Sequence, residues 1–297
     1  MPLTVPPKLL LVHAHPDDET IWTGGTIAHY AAIGVAVTVV TCTLGEEGEI
    51  IPAELRGLAA DAGDQLGGYR VGELRSACAA LGVGEHRFLG GIARWRDSGM
   101  AGTAANRHPR AFAAGLLEEQ TDALEEIVEE SAPQVIVSYD AFGGYGHPDH
   151  IRAHEITEAV AERQPGVLRA FHTVNSATAL EAGLAELSTV ESLPFRMPTA
   201  AERHVREDSE IDTVLDISGA LSAKLSALRA HATQVSLFSD GARSRGYALS
   251  NGIAAPVLAR EYYTLAAGPA QGCADDLFGG LLPVRKTGAP HENGGGA

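Results

Sequence analysis

The chain has 297 residues, 45% of them hydrophobic and 20% charged, the mix of an ordinary globular protein with apolar material for a substantial core. A formal net charge of −16 argues against a main role on phosphate backbones or anionic membrane surfaces, since both need clustered Lys and Arg. Cys42, Cys78 and Cys273 lie far apart with no CxxC pair, no apolar run approaches a membrane span, and "MPLTVPP" has neither a basic nor a long apolar leader region, so the expectation is a cytoplasmic chain without a disulfide framework.

In chain order, "KLLLVHA" (8–14) reads as a buried strand, residues 22–34 as a helix closing on Gly34, and the β-branched run 35–43 as a second strand. Residues 69–82 have helical apolar spacing and again end on a glycine. A short strand is expected at 86–90, an acidic amphipathic helix at 116–130, a buried strand at 134–140, a helix at 150–163 and a strand at 168–174. Beyond 175 the pattern weakens to a helix at 219–234 and an edge strand at 261–268. This alternation predicts the α/β class: a Rossmann-like three-layer fold with a mostly parallel sheet, plus a smaller C-terminal α/β portion. The expected division is a catalytic core over 1–175, a portion over 176–285 that completes the same domain, and a disordered tail over 286–297.

Two dense polar clusters follow two of the predicted strands: "HAHPDDET" (13–20) and "GGYGHPDH" (143–150). Ligands of open parallel sheets bind at the carboxyl ends of the strands, so both clusters are expected on one rim. His15 and Asp18 have H-x-x-D spacing, and His150 from the second cluster completes a two-histidine, one-carboxylate set. Three protein ligands with an open position describe a catalytic zinc site, and the same ligand types suit ferrous iron. A competing explanation is that Asp17 or Asp18 simply caps the next helix. His154 is read as a packed or supporting residue, because a zincin motif would place Glu where Ile151 stands. Asp17, beside the ligands but not needed as one, is the natural general base for water acidified by the metal. His147, when protonated, would stabilise an oxyanion and hand a proton to a leaving amine, with Asp149 orienting it and Tyr145 adding a hydroxyl.

"AHPDDE" (14–19) together with "GHPDH" (146–150) resembles the PIG-L/LmbE-like family of metal-dependent de-N-acetylases. The stretches 40–50, 64–74, 93–103 and 228–235 are similar to the branch that deacetylates N-acetylglucosaminyl-inositol in mycothiol biosynthesis. The resemblance implies one divalent metal per chain, zinc foremost and Fe(II) as the alternative, on His15, Asp18 and His150. It implies the same roles for Asp17, His147, Asp149 and Tyr145, and contacts from Arg70, Asp97 and Glu49 to a small pseudodisaccharide substrate. "TLGEEG" (43–48) favours the deacetylase over the related amidase that cleaves mycothiol conjugates. A non-catalytic sugar-binding module and a two-metal phosphoesterase are the readings from other classes. The partners expected are that small molecule alone, with neither nucleic acid nor membrane, and no oligomeric state is indicated.

Overall fold

The computed structural model describes residues 6–241 and 243–281. The tail expected over 286–297 lies outside these residues.

A seven-stranded sheet forms the centre. Its strands are β1 (Lys8–His13), β2 (Ala36–Thr41), β3 (Glu85–Phe88), β4 (Val135–Tyr139), β5 (Arg169–Val174), β6 (Thr213–Asp216) and β10 (Arg260–Ala267), in the order β3-β2-β1-β4-β5-β10-β6. β1 to β5 are parallel, with β1 between β2 and β4. β10 runs antiparallel to β5 and β6. Residues 261–268, expected at an edge, are therefore interior, and β6 takes the edge. Strand order and edge position depend on pairing partners far along the chain, to which a local apolar run is blind.

β1 shows why the central strands read as continuous apolar runs. Leu9 and Leu11 face one core and Leu10 and Val12 the other. Helices α1 (Asp18–Ala32), α2 (Leu66–Leu81) and α7 (Leu221–Ala230) cover the first face, and α3 (Leu117–Ser131) and α5 (Pro148–Arg163) the second. With both faces buried, neither side of the strand needs polar residues. Truncating Leu11 to Ala in such a core costs ~2–5 kcal/mol.

Two departures from expectation matter for the site. α1 begins at Asp18, four residues earlier than expected, so the polar motif itself makes the first helical turn. Beyond 175 the chain also forms α6 (Ala177–Ser188) and a small antiparallel sheet of β7 (Ser236–Asp240), β8 (Arg243–Ala248) and β9 (Ala255–Pro256). Between β4 and α5 lies a single turn, α4 (Gly143–Gly146). Among the described residues no helix is long and apolar enough to cross a membrane.

Candidate active site and metal centre

The two clusters meet at the carboxyl ends of β1 and β4, which are neighbours in the sheet. His15 leaves β1 in a tight turn whose main-chain N–H donates to Asp18 Oδ2 at 3.0 Å. Asp18 Oδ2 lies 3.3 Å from His15 Nδ1 and 3.3 Å from His150 Nε2, and the two ring nitrogens are 3.3 Å apart. Three ligand atoms thus form an equilateral triangle. Ligands about 2.0–2.1 Å from a tetrahedral zinc sit roughly 3.3–3.4 Å from one another.

The hydrogen bonds fix which nitrogens face the triangle. His150 Nδ1 is 3.1 Å from the Gly143 carbonyl, which can only accept, so Nδ1 carries the proton and Nε2 keeps its lone pair. His15 Nε2 donates to Asp149 Oδ2 at 3.2 Å, with Asp97 Oδ1 at 3.4 Å, which leaves Nδ1 bare. Two lone pairs and a carboxylate oxygen crowded in a buried space repel one another unless a cation joins them. The electrostatics agree. Burial works to raise the Asp18 carboxyl, but His150 and His15 overcome it and hold it well below the usual carboxylate range. Burial works to lower His15, yet Asp97, Asp149 and Asp18 raise it well above an ordinary imidazole, so the cluster draws in positive charge. The residues present fit a divalent metal.

Gly143 shows how closely this rim is packed. Its φ is +66°, and a Cβ there would stand 2.7 Å from His150 Cβ. Only glycine lets the carbonyl that orients His150 come so near.

Asp17 sits at the N-terminal boundary of α1 with φ 112°, and its side chain makes no capping bond. The capping explanation therefore fails for Asp17, and the strained backbone aims a carboxylate elsewhere. It lies 3.1 Å from Arg70 Nη2. Burial, with Asp18 and Glu19 adding to it, pushes the Asp17 carboxyl up to about 7 against the pull of Arg70 and His231.

His147 is itself the N-cap of α5, its Nδ1 accepting the Asp149 main-chain N–H at 3.1 Å. The ring proton therefore sits on Nε2. Burial, then His15 and His150, push His147 down to about 3, so the resting ring is neutral. With Nδ1 occupied in this way, Nε2 is the ring nitrogen His147 presents to the cavity. The Asp149 carboxylate, expected on His147, is instead on His15, with a further N–H from Ser98 at 2.9 Å. Tyr145 packs edge-on against His150 at 4.9 Å between ring centroids.

Arg70 and Asp97, expected on substrate, are turned largely inward. Arg70 donates to the carbonyls of Gly45 and Pro16 as well as pairing with Asp17. Asp97, 4% exposed, accepts from the N–H of Gly99 at 2.8 Å and of Glu47 at 3.3 Å and faces His15 and His147. Glu49 is exposed at the rim. All three, with Asp17, Tyr145 and His147, line one cavity of about 720 Å³. That volume falls among small-molecule sites, roughly 300–1,000 Å³.

Two supporting residues had no part in the one-metal reading of the sequence. Glu19 Oε1 and His231 Nε2 form a buried pair at 2.7 Å, and Glu19 Oε2 accepts the Asp17 N–H at 2.9 Å. The signal available was "LRAHATQ", a lone histidine closing a helix. Nothing local indicates that it meets residue 19. His13, the first residue of "HAHPDDET", bonds Thr23 Oγ1 at 2.9 Å, and burial pushes it down to about 4.

Comparison with known proteins places this arrangement. A family model described as "PIG-L: GlcNAc-PI de-N-acetylase" matches residues 10–161. A protein of Actinosynnema mirum named 1D-myo-inositol 2-acetamido-2-deoxy-alpha-D-glucopyranoside deacetylase is 66% identical over 95% of this chain and 99% of its own length. One of Saccharopolyspora erythraea with the same name, numbered 1, is 61% identical over 95% of this chain and 96% of its own. A solved 4-carboxy-2-hydroxymuconate hydratase from Pseudomonas putida, 16% identical, shares the fold alone, with a TM-score of 0.54 over 89% of this chain and 97% of that one. One fold carrying different chemistries leaves sequence identity and the site to decide. On both counts the chain belongs to the PIG-L family of de-N-acetylases, and it is a hydrolase of that kind.

Proposed function

We propose that this protein removes the acetyl group from an N-acetylglucosaminyl-inositol, giving glucosaminyl-inositol and acetate, the deacetylation of mycothiol biosynthesis, with one zinc ion held by His15, Asp18 and His150. The observation that carries the reading is the 3.3 Å triangle of ligand atoms with Asp17 beside it on the wall of a sugar-sized cavity. Relatives of that name, matched over nearly their whole length, support the substrate. Residues 1–175 and 176–285 act as one catalytic domain in this reading, supported by β6 and β10 in the main sheet and by Tyr247, Leu258 and Glu261 on the same cavity wall.

A divalent ion held by His15, Asp18 and His150 would supply Lewis-acid polarisation of the acyl carbonyl and would lower the pKa of a water toward neutrality. Asp17 takes that proton as the water oxygen attacks the amide carbon. Burial raises its carboxyl above the usual carboxylate range, which suits a group that must take a proton and give it back. His147 donates Nε2–H to the developing oxyanion, with the Tyr145 hydroxyl as a second donor. With His147 Nδ1 occupied by the Asp149 N–H, His147 has no spare proton to give away. Asp17 therefore returns its proton to the nitrogen as the C–N bond breaks. Acetate and a free amine leave.

The test is fluorescamine detection of free amine from N-acetylglucosaminyl-inositol, N-acetylglucosamine and a mycothiol conjugate, with and without chelator and added zinc. Chelator-sensitive release, strongest with the inositol glycoside, is the expected result. Stronger release from the conjugate would move the protein to the amidase, and no release with metal bound would overturn the catalytic reading.

A further inference from the structure

A second set of metal-ligating side chains lies outside the active site. His154, Glu158 and His172 each offer a ligand atom, and these atoms all lie within 4.8 Å of one another. His154 and Glu158 are four residues apart on α5 and so share one helix face. His172 sits on β5 and alternates with Ala170, whose side chain joins the core on the α5 side of the sheet. β5 is held between β4 and β10, where His172 pairs with Ser138 and Thr264, so the third member projects from a fixed position.

The hydrogen bonding prepares His154 as a ligand. His154 Nδ1 lies 3.0 Å from the Tyr139 carbonyl, which only accepts. The ring proton is therefore on Nδ1 and the Nε2 lone pair is bare. This is the arrangement that orients His150, one helical turn earlier, against the Gly143 carbonyl. Metal-bound histidines commonly use their second nitrogen in this way. His172 Nε2 contacts Glu158 Oε1 at 2.9 Å, and the rings of His154 and His172 are 4.9 Å apart between centroids. A structural ion pair between Glu158 and His172 would account for two of these residues but gives no part to the His154 ring. All three are half-buried, so an ion can enter and keep water in its remaining positions.

We propose that His154, Glu158 and His172 form a second divalent-metal site, for a borderline ion such as Zn2+, Co2+ or Ni2+, distinct from the site at His15, Asp18 and His150. Two imidazoles and one carboxylate suit these ions better than Mg2+ or Ca2+, which prefer all-oxygen shells. The ion takes the place of the proton between His172 Nε2 and Glu158 Oε1, and the neutral imidazole carries its proton on Nδ1 instead. The site ties α5 to β5 directly behind Tyr139, whose ring stacks on His150 at 4.1 Å.

The test is elemental analysis of zinc per chain after apoprotein is reloaded with excess zinc and passed through a desalting column. Wild type is expected to hold two ions. Glu158→Gln and His172→Asn are each expected to hold one, with native circular dichroism. His150→Ala, which damages the other site, is also expected to hold one. Titration with Co2+ should give ligand-field absorption from a second equivalent in wild type and not in E158Q. Wild type saturating at one ion, or a second ion surviving in both E158Q and H172N, overturns the proposal. Neither result depends on turnover, so the deacetylase reading stands or falls separately.

Discussion

Asp149→Asn separates what the structure assigns to this carboxylate from what the sequence suggested. The sequence placed Asp149 on His147, where its loss would alter proton transfer and leave metal affinity intact. The structure places Oδ2 3.2 Å from His15 Nε2, so its loss should weaken the hold on the tautomer that bares Nδ1 to the metal. A hydrogen bond to a charged acceptor contributes ~1.5–3 kcal/mol, and supporting groups of this kind commonly tune metal affinity by ~10–100-fold. Two features pull the expected effect to the lower end. Asp97 Oδ1, 3.4 Å from the same nitrogen, remains as a second acceptor. The buried Oδ1 of Asp149 has no partner, so removing the charge also relieves a cost. The expected loss for Asp149→Asn is therefore ~10-fold in zinc affinity, about 1.4 kcal/mol, rising toward ~100-fold in Asp97→Asn/Asp149→Asn. Competition titration of apoprotein against a chromophoric zinc chelator measures it. An unchanged zinc Kd with a fall in kcat alone would refute the assignment and return Asp149 to His147.

Asp17→Asn should keep its zinc and lose ~10²–10⁴-fold in kcat, because it removes the proton carrier and no ligand; amine release per zinc-loaded chain decides this, and retained turnover would end the base assignment. Gly143→Ala forces a Cβ into the space of His150 at φ +66°, so zinc affinity should fall together with ~1–3 kcal/mol of stability, read by urea denaturation. His231→Ala removes the ion-pair partner of Glu19 at 0% exposure, leaving it only the Asp17 N–H and the Thr20 hydroxyl, which predicts a loss of ~3–5 kcal/mol in the same assay. Burial works to lower His231, but Glu19 raises it above the ordinary imidazole value. The His231 contribution is thus complete below the unfolded value of about 6.5 and fades as pH rises through the raised folded value. The stability gap between wild type and H231A should narrow on going alkaline, and a gap that widens there would show that the pair is not charged as drawn.

The parallel strands β1, β2, β4 and β5 and the helices between them were legible because each has a local cause: β-branched apolar runs, helical spacing, a closing glycine. The pairing of "HAHPDDE" with "GHPDH" was legible because both follow strands of a parallel sheet, and the rule about strand ends is general. In the C-terminal third only α7 and the existence of β10 were legible. β6 and β9 are too short to show a period, and β10 is interior only because β6, from 44 residues earlier at its nearest end, lies on its far side. The inward turn of Asp97 and Arg70 was equally hidden. Each is held by main-chain groups from another segment, Asp97 by the Glu47 N–H and Arg70 by the Gly45 and Pro16 carbonyls, and side-chain chemistry at one position does not announce such partners.

Those main-chain partners decide the chemistry of the three central histidines. As residue types, His15, His147 and His150 are interchangeable, each with two nitrogens and one proton when neutral. The Gly143 carbonyl accepts a hydrogen bond from His150 Nδ1–H, and the Asp149 carboxylate accepts one from His15 Nε2–H. Both rings then present a lone pair to Asp18. The Asp149 main-chain N–H does the opposite to His147, occupying Nδ1 and leaving its proton on Nε2. One residue, Asp149, thus directs two histidines to opposite functions, with its side chain making one a ligand and its backbone making the other a donor. A substitution at 149 alters the side-chain effect and spares the backbone one. That is why Asp149→Asn should shift metal affinity while the His147 tautomer, observable through its ring nitrogens by ¹⁵N NMR, stays as it is.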